Sequence, residues 1–352
     1  MENERIRVLV DGYPFLKNGR GGVARYVLET VRALRAAGGA SVSLQVPRGA
    51  AFPPPIPHVG ENGVVAFLAR RRADIFHSAW YRVPPRLHGA AFVATVYDWI
   101  DAELPLYKPN GGDFAGRQAR AVAAAAGLVC ISEDVARRTA ARTGFPRERI
   151  AVAPSAPAAV FRAEPPAEAE RAAFRARTTG GAPYVLHVGS RGLYKNFATV
   201  LRGFLAASAR TDRHLVLVGG ERSLTDDEVF RIARAGCLER VHFLRRVPDG
   251  ELRLAYAAAD AYASASHMEG FGLPVVEAMA CGTLPVLSDI PVYREVAGTA
   301  ARYAPPADVG AWADLFAGPL EPVPGARESA LSRYSWEKAA AAHLALYRSL
   351  AG

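Results

Sequence analysis

Short apolar runs recur along the chain, and each ends in turn-forming residues before a stretch long enough for a helix. In the first half the runs are IRVLVD, SVSLQV, ADIFHS, AFVATVYD, GLVCIS and RIAVAPS, and in the second they are PYVLHVGS, HLVLVGG, VHFLRR, AYASAS and TLPVLSD. Strands that are apolar throughout, without alternation, are typical of parallel sheets covered by helices on both faces. The pattern therefore predicts an α/β protein with two successive β-α-β series.

The two series are separated by residues 153–183, in which Pro, Ala and Gly are frequent and no strand is recognisable. A boundary in such a segment predicts an N-terminal domain over residues 1–165 and a C-terminal domain over residues 180–334. The length of 352 residues also exceeds the size at which a single core usually stops growing. We expect two doubly wound, Rossmann-like lobes that face each other across a cleft, with ligands at the carboxyl ends of the strands.

Composition narrows the class of protein. Hydrophobic residues make up 50% of the chain and charged residues 22%, which is typical of a soluble globular protein. The first residues, MENERIRVLVDG, have too short an apolar core for a secretory signal, and no run approaches the roughly 18 apolar residues of a membrane span. Cys130, Cys237 and Cys281 lack metal-ligand spacing. We expect them to be small core residues in a reducing cytoplasm.

The net charge of +9 suggests a phosphate-bearing partner. The arginines are spread over the whole chain, however, and no nucleic-acid-binding signature is present, so nucleic acid is not an expected partner. Arg70, Arg71 and Arg72 follow the apolar run VVAFLA. This basic run is a candidate for peripheral contact with the inner face of a membrane or with an acidic acceptor, or else it is the solvated end of a helix.

The segment HMEGFGLPVVEAMACGTLPVLSD, residues 267–289, places two glycines and a proline between Glu269 and Glu277. The proline suits the first turn of a helix. Gly270 and Gly272 allow a ligand to approach the N–H groups at the start of that helix. Carboxylates accept paired hydrogen bonds from hydroxyl groups, so two of them beside an anion site suit a sugar attached to a phosphate. The alternative is that Glu277 only complements the helix dipole.

Two further motifs suit phosphate binding. VGSRGLYKN follows a predicted strand and supplies Arg191 and Lys195, and fixed cations stabilise the charge that grows on a departing diphosphate. Gly21 and Gly22 precede the predicted helix VARYVLETVRAL, whose N-terminus would favour an anion. The alternatives are a surface lysine for the first motif and an ordinary turn for the second.

The segment EGFGLPVVEAMACGTLPV resembles the signature of glycosyltransferase family 4, a group of retaining enzymes that use nucleotide sugars and have the GT-B fold. The resemblance extends over most of the chain, from VDGYPFLKNGRGGVARYVLETVRAL through ADIFHSAWYRVP, ATVYDWIDAELP and ISEDVARRT to LHVGSRGLYKNF, LVLVGG and the segment that begins VHFLRRVPDG. It implies an acceptor-binding N-terminal lobe, a donor-binding C-terminal lobe and a last helix, residues 335–352, that crosses back onto the first lobe.

The resemblance also implies roles for individual residues. Glu269 would hold the transferred sugar, Lys195 and Arg191 the diphosphate, and Tyr97 the scissile region. Glu277 would bind the ribose. The remaining donor-binding positions would be Gly21, Gly22, Gly189, Gly270, Phe271, Gly272 and Leu273. No Asp-x-Asp motif is present, so neither a metal ion nor another cofactor is expected.

The chain departs from the family pattern at several places. Tyr97 precedes Asp98 where relatives commonly have His-Asp, and tyrosine keeps a hydroxyl donor but cannot become a cation near neutral pH. Ser190 stands where many relatives have the arginine. His77 matches a strand-end histidine near the acceptor in relatives, although a hydrogen-bonded core histidine would look the same in sequence.

As a whole, the resemblance implies transfer of a hexosyl group from a nucleotide diphosphate sugar to an acceptor hydroxyl. GDP-mannose is favoured over a UDP-sugar. The acceptor would be a saccharide, a lipid-linked compound or a small molecule in polysaccharide, glycolipid or natural-product biosynthesis. Three alternatives remain open at this point: a nucleotide-sugar epimerase of the same fold, a phosphorylase of the same fold, and a binding subunit that has lost catalysis.

Overall fold

The computed structural model describes most of the chain, namely residues 5–17, 21–50, 56–60, 69, 71–104, 106, 113–162, 164–220, 223–245 and 247–351. Arg70 of the basic run lies outside these residues. The chain divides into two compact units, the first formed by Met1–Ser155 with Tyr334–Gly352 and the second by Ala156–Arg333.

The elements alternate between strands and helices. The strands are β1 (Ile6–Asp11), β2 (Ala40–Val46), β3 (Val59–Gly60), β4 (Ile75–Ser78), β5 (Ala91–Val96), β6 (Gly127–Cys130), β7 (Ile150–Val152), β8 (Tyr184–Val188), β9 (His214–Val218), β10 (Val241–Leu244), β11 (Ala261–Ser264), β12 (Leu284–Ser288) and β13 (Arg302–Ala304). The helices are α1 (Pro14–Lys17), α2 (Gly22–Ala37), α3 (Ile100–Glu103), α4 (Phe114–Ala124), α5 (Glu133–Thr143), α6 (Ala159–Arg162), α7 (Glu168–Thr179), α8 (Phe197–Ala207), α9 (Asp226–Arg234), α10 (Asp249–Ala257), α11 (Leu273–Ala280), α12 (Pro291–Ala297), α13 (Val309–Ala317), α14 (Ala326–Leu331) and α15 (Trp336–Ala351).

The first unit is built on a seven-stranded sheet with the order β3-β2-β1-β4-β5-β6-β7. All of its strand pairs are parallel. The last helix, α15, packs against α2 and against strands of this sheet. Gly127 makes the approach possible, because a Cβ atom there would lie 2.9 Å from Leu350 and 3.0 Å from Leu346 of that helix.

The second unit is built on a six-stranded parallel sheet with the order β10-β9-β8-β11-β12-β13. Its core includes Phe197 and Phe204 of α8 together with Trp312 and Phe316 of α13. Gly203 lets α8 and α13 approach closely, because a Cβ atom at this position would lie 2.7 Å from the Cβ atom of Trp312.

The expectation of two β-α-β series with parallel sheets is confirmed. Each of the eleven apolar runs contains a strand. Two short strands, β3 and β13, were not predicted, since runs of two and three residues carry too little pattern to recognise. Among the described residues, none of the helices has the length and apolarity needed to cross a membrane.

The first unit ends earlier than the predicted position 165. Residues 156–333 belong to the second unit. The physical reason is the packing of α6, whose buried Phe161 makes an edge contact with the ring of Tyr256 at 6.0 Å between ring centroids. Proline-rich sequence therefore marked the neighbourhood of the boundary, and the packing of α6 against α10 and α11 assigns it to the second unit.

Candidate active site

The basic motif forms a tight turn after β8. Gly189 has a φ of 118°, a backbone conformation that favours glycine, and Leu193–Lys195 form a turn of 3-10 helix. Asn196 follows with a φ of 51°, which asparagine tolerates better than most residues. Its Nδ2 atom donates to the carbonyl oxygens of Ala265 (3.0 Å) and Pro306 (2.6 Å). These bonds hold the end of the turn in place.

The acidic segment is tied to this turn by its backbone. The amide of His267 donates to the carbonyl oxygen of Tyr194 at 2.9 Å. The predicted helix is present as α11, with Gly272 as its N-cap and a proline in its first turn, and it ends at Cys281. Gly272 has a φ of 93°, and a Cβ atom there would lie 2.8 Å from the ring of Tyr293. Only glycine fits this position without rearrangement.

These backbone contacts bring Lys195 and Glu269 together. Lys195 Nζ lies 2.7 Å from Glu269 Oε1, and the two side chains are 22% and 9% exposed. The ammonium group also lies 5.0 Å from the centroid of the Tyr194 ring. Burial by itself would lower the pKa of Lys195, but the Glu269 carboxylate raises it well above its ordinary value. The lysine is therefore a permanent cation beside a largely buried carboxylate.

Two hydroxyl groups that the sequence did not single out also contact Glu269. Ser266 Oγ donates to Oε1 at 2.7 Å, and Tyr293 Oη donates to the same oxygen at 3.3 Å. Ser266 lies in the run AYASAS, two residues after Ser264. This spacing, which places both hydroxyl groups on one face of a strand, is the only sign in the sequence that the strand ends in polar residues. Tyr293 lies on α12, and nothing in the sequence indicated that its hydroxyl group reaches the acidic segment.

Glu277 lies within α11, about one turn inside the helix as predicted, and it is only 4% exposed. Tyr256 Oη donates to its Oε2 atom at 3.3 Å. The ring of Tyr256 in turn packs against Phe161 and Tyr262. Burial, followed by the nearby Glu277 carboxylate, raises the pKa of Tyr256 well above its ordinary value. Tyr256 therefore remains a hydrogen-bond donor to Glu277.

Arg191 makes its hydrogen bonds with residues other than Glu269, and its role at the diphosphate stays a prediction. Its side chain is 3% exposed, and its Nε atom donates to Glu228 at 3.0 Å. Its Nη2 atom donates to the carbonyl oxygen of Ser223, and its guanidinium lies 5.0 Å from the centroid of the Phe243 ring. These contacts bury the guanidinium among structural partners of the second unit.

In the first unit, Gly21 and Gly22 stand at the start of α2 as predicted. Gly21 is the N-cap, and no side chain caps this end of the helix. Among the described residues, none has an atom within 4 Å of the position that a Cβ atom of Gly22 would take. Open space in front of a helix N-terminus is where an anion can approach the backbone N–H groups.

Tyr97 directly follows β5, and its side chain is only 6% exposed. Its ring makes an edge contact with Tyr26 of α2 at 5.7 Å between centroids. Apart from the nearby Thr95 hydroxyl, the Tyr97 hydroxyl has no hydrogen-bond partner within the described part of the chain, and Thr95 is also engaged by His77 Nε2 at 2.7 Å. Burial raises the pKa of Tyr97 well above its ordinary value, so the hydroxyl group stays protonated.

His77 is a core histidine, so its predicted place near an acceptor is not supported. It is 4% exposed within β4. Its Nδ1 atom lies 2.5 Å from the hydroxyl group of Tyr347 on α15, and its Nε2 atom is bonded to Thr95. With both ring nitrogens engaged by neighbouring side chains, His77 connects the last helix to the sheet.

Arg71 and Arg72 line an open groove of about 340 Å³ at the amino ends of β1, β4 and β5. Arg7 and Asp74 also line it and form an ion pair at 2.6 Å, and His88 lies beside them.

Within the described ranges, no three His, Cys, Asp or Glu residues come together in a way that could hold a metal ion.

The chain has relatives among known glycosyltransferases. Residues 169–319 match the family model described as glycosyl transferases group 1. The chain is 27% identical over 325 residues to O-antigen chain mannosyltransferase B of Escherichia coli, covering 82% of this chain and 84% of that protein. It is 30% identical over 132 residues to GDP-mannose:cellobiosyl-diphosphopolyprenol alpha-mannosyltransferase of Xanthomonas oryzae pv. oryzae (strain PXO99A), covering 37% of this chain and 34% of that protein.

Among solved structures, the chain is similar to Anabaena HepE in complex with UDP and glucose. The TM-score is 0.67 at 17% sequence identity, and the superposition covers 99% of this chain and 95% of that one. A likeness at this level of identity concerns the fold, and it agrees with the two parallel sheets described above. The chain thus has the GT-B fold, and its matches to glycosyl transferases group 1 and to a mannosyltransferase support a hexosyltransferase that resembles family 4.

Proposed function

We propose that the protein transfers a hexosyl group from a nucleoside diphosphate hexose to an acceptor hydroxyl, with retention of the anomeric configuration. The observation that carries this proposal is the pair formed by Lys195 and Glu269 at the carboxyl edge of the second sheet. A cation suits the diphosphate of such a donor, and a carboxylate suits the hydroxyl groups of its sugar.

The second unit would bind the donor. The family match lies within this unit, as does α11, whose N-terminus favours phosphate. Gly270, Phe271 and Leu273 would line the diphosphate and sugar positions together with Gly189 and Gly272. Glu277 would bind the ribose. Its hydrogen bond from Tyr256 supports this role by fixing one carboxylate oxygen.

The proposed chemical step needs no covalent enzyme intermediate. The bond between the anomeric carbon and the diphosphate oxygen breaks, and a bond from the acceptor oxygen to the same carbon forms on the same face of the sugar. The acceptor proton moves to the departing diphosphate oxygen. Lys195 would stabilise the negative charge on that diphosphate, which is why we propose that no metal ion is required.

The favoured donor is GDP-mannose, and the favoured acceptor is a saccharide or lipid-linked intermediate of polysaccharide or glycolipid synthesis. The names of the two mannosyltransferase relatives support this choice. The first unit would bind the acceptor, and Gly22 at the start of α2 would contact the donor diphosphate. The chain spans only about a third of the relative that is named for GDP-mannose, so the donor is a proposal that a direct measurement must decide.

A panel of GDP- and UDP-hexoses tests the proposed function. In excess chelator, we expect GDP-mannose to raise the melting temperature by mass action and to be consumed when a saccharide acceptor is present. Nuclear magnetic resonance of the product should show the anomeric configuration of the donor. Activity that is abolished by chelator and restored by manganese would contradict the metal-independent step, and an inverted product would contradict retention.

We also propose a cytoplasmic location with peripheral contact to anionic lipid headgroups through Arg70, Arg71 and Arg72. Support comes from the groove that Arg71 and Arg72 line. The protein should sediment with vesicles that contain an anionic phospholipid and not with neutral phosphatidylcholine vesicles, and added salt should release it. Equal sedimentation with both kinds of vesicle would contradict the contact.

A further inference from the structure

The hydrogen bonds to the Glu269 carboxylate are unevenly divided between its two oxygens. Oε1 accepts from Lys195 (2.7 Å), Ser266 (2.7 Å) and Tyr293 (3.3 Å). No described residue donates to Oε2. A carboxylate that is anchored through one oxygen can present the two lone pairs of the other to hydroxyl groups of a ligand.

Tyr293 is buried and is also held by two serine hydroxyl groups. It is 1% exposed on α12, and its hydroxyl lies 2.7 Å from Ser264 Oγ and 3.4 Å from Ser266 Oγ. The Ser266 carbonyl oxygen accepts from Ser288 Oγ at 2.6 Å. Through these serines the Tyr293 hydroxyl is connected to the ends of β11 and β12, two strands of the same sheet.

The ring of Tyr293 also supports the start of α11. It lies against Gly272, where a Cβ atom would come within 2.8 Å of ring atom Cε1. One side chain therefore contacts both the Glu269 carboxylate and the N-cap of the helix that follows it. Burial, followed by the nearby carboxylate, raises the pKa of Tyr293 well above its ordinary value, so its hydroxyl remains a donor.

We propose that Tyr293, assisted by Ser266, is a positioning residue that holds Glu269 Oε1 so that Oε2 is presented to the hydroxyl groups of the transferred sugar. This inference rests on the proposed function, and it adds a residue from α12 to a site that the sequence confined to two motifs. Tyr293 itself does not touch the substrate. Its effect on catalysis passes entirely through the Glu269 carboxylate.

The variant Tyr293→Phe removes the hydroxyl and retains the ring against Gly272. We expect kcat for hexosyl transfer to fall about tenfold, which corresponds to the loss of one hydrogen bond to a charged group. The Kd of the nucleoside diphosphate, which lacks the sugar, should stay within about twofold of the wild-type value, since an effect below about 0.4 kcal/mol is expected for a ligand that Glu269 does not contact. In the Glu269→Gln background, Tyr293→Phe should cause no further loss of kcat.

Tyr303→Phe is the matched control. The Tyr303 hydroxyl donates to the backbone carbonyls of Tyr293 (3.1 Å) and Gly298 (2.8 Å), so its removal should lower the melting temperature and leave kcat unchanged. A wild-type kcat in Tyr293→Phe, or additive losses in the double variant with Glu269→Gln, would overturn the inference and leave the proposed function standing.

The conformation of Glu269 supplies a readout that does not depend on activity. In a crystal structure of Tyr293→Phe we expect the carboxylate to leave the position in which Oε1 faces Ser266, and an unchanged carboxylate would contradict the inference. Failure of the proposed function looks different, because the wild-type protein would then bind nucleoside diphosphate hexoses no better than nucleoside diphosphates and would transfer no sugar.

Discussion

Glu269 and Glu277 are both largely buried, but their partners differ. Glu269 is paired with a lysine and two hydroxyl groups around one oxygen, whereas Glu277 is contacted by the hydroxyl of Tyr256 inside a helix. The negative charge of Glu269 is thus compensated by the Lys195 ammonium group. Glu277 lies within α11, where a tyrosine hydroxyl donates to it. The two acids should therefore respond differently to removal of their charge.

Glu269→Gln should lower kcat and kcat/KM together, by about ten- to 150-fold, because the amide cannot replace a charged acceptor that faces the sugar. Glu277→Gln should chiefly raise the KM for the donor, if this residue binds the ribose. Initial rates over a range of donor concentrations distinguish the two. Equal and small effects in folded variants would indicate that both acids only complement the dipole of α11.

Glu228→Gln is a suitable control for these variants. Glu228 holds the buried Arg191 and closes a capping box with Thr225 at the start of α9. Its substitution should lower the melting temperature and leave kcat near the wild-type value. A large fall in kcat with a wild-type melting temperature would instead indicate that Arg191 acts in catalysis.

Tyr97 offers a direct test because, apart from the nearby Thr95 hydroxyl, its own hydroxyl has no hydrogen-bond partner within the described ranges. We hypothesise that the hydroxyl is kept for the donor sugar or the bridging phosphate, as the family histidine would be. Tyr97→Phe should then keep the melting temperature and lower kcat/KM by about five- to 150-fold, the effect of leaving a buried acceptor without its donor. Steady-state kinetics and thermal unfolding measure both quantities.

Tyr26→Phe is the matched control for Tyr97→Phe. The Tyr26 hydroxyl donates to the Ala153 carbonyl at 2.9 Å, so its removal should lower the free energy of unfolding by about 1 kcal/mol. If Tyr97→Phe has a wild-type rate and unchanged stability, the hydroxyl has no role in catalysis, and the correspondence with the family histidine is wrong at this position.

The helices α2 and α11 both begin beside a glycine, but the two glycines meet different surroundings. Gly22 is in open space, whereas Gly272 has a φ of 93° and lies against the ring of Tyr293. The first glycine leaves room in front of a helix N-terminus. The second is required by the backbone itself and by the packing of α12.

Gly22→Ala and Gly272→Ala should therefore have opposite effects on stability. Alanine at position 22 should leave the melting temperature unchanged or slightly raised, because alanine favours a helix, and it should raise the KM for the donor if a phosphate approaches there. Alanine at position 272 should lower the free energy of unfolding by about 1–3 kcal/mol through backbone strain and the contact with the ring. Equal losses of stability in the two variants would contradict this assignment.

Buried histidines connect the stability of the whole molecule to pH. His77 and His343 lie in the first unit and His187 in the second, and all three are at most 4% exposed. Burial lowers the pKa of His77 well below 6.5, and it lowers the pKa of His187 and of His343 to about 4. The folded protein therefore keeps these side chains neutral at pH values where the unfolded chain binds protons.

The sign of the pH dependence follows from this difference. Because the unfolded state binds more protons below pH 6.5, the free energy of unfolding should be constant above that pH and should fall as the pH decreases toward 4. Each fully buried histidine contributes a slope of about 1.4 kcal/mol per pH unit between these limits. Urea unfolding at a series of pH values measures the total slope.

Carboxylates such as Asp74, whose pKa is lowered by its hydrogen bond from Arg7, also lose stabilising interactions in acid. His343→Leu separates the histidine contribution, because it removes one buried titrating group and leaves these carboxylates in place. We expect the slope of the free energy of unfolding against pH to be smaller in this variant by the contribution of one histidine, about 1.4 kcal/mol per pH unit. An unchanged slope would contradict the assignment of this effect to His343.

Much of the architecture could be predicted from local pattern. The eleven apolar runs each contain a strand, and the proline and glycines of residues 267–289 correctly placed the start of α11. Strands and helix starts depend on the conformational preferences of residues that are adjacent in the chain, and these can be read from the sequence. The segments with too few residues to show a pattern, β3 and β13, escaped prediction for the same reason.

The partners of individual side chains could not be predicted in this way. Arg191 and Lys195 share one short motif, yet Lys195 reaches Glu269 whereas Arg191 is buried against Glu228. Likewise, Tyr293 is 24 residues from Glu269 in the chain and His77 is 270 residues from Tyr347, and both pairs are in hydrogen-bond contact.

The sequence by itself thus determined two parallel β-α-β units, the glycine-rich helix starts and the charged residues near them, because backbone conformation and burial are largely local properties of the chain. Only the tertiary structure decided which cation meets which carboxylate, that His77 is a core residue and that Tyr293 contacts Glu269. Those outcomes depend on packing between elements that are distant in the chain, where small shifts of a helix decide whether two polar atoms come within hydrogen-bond distance.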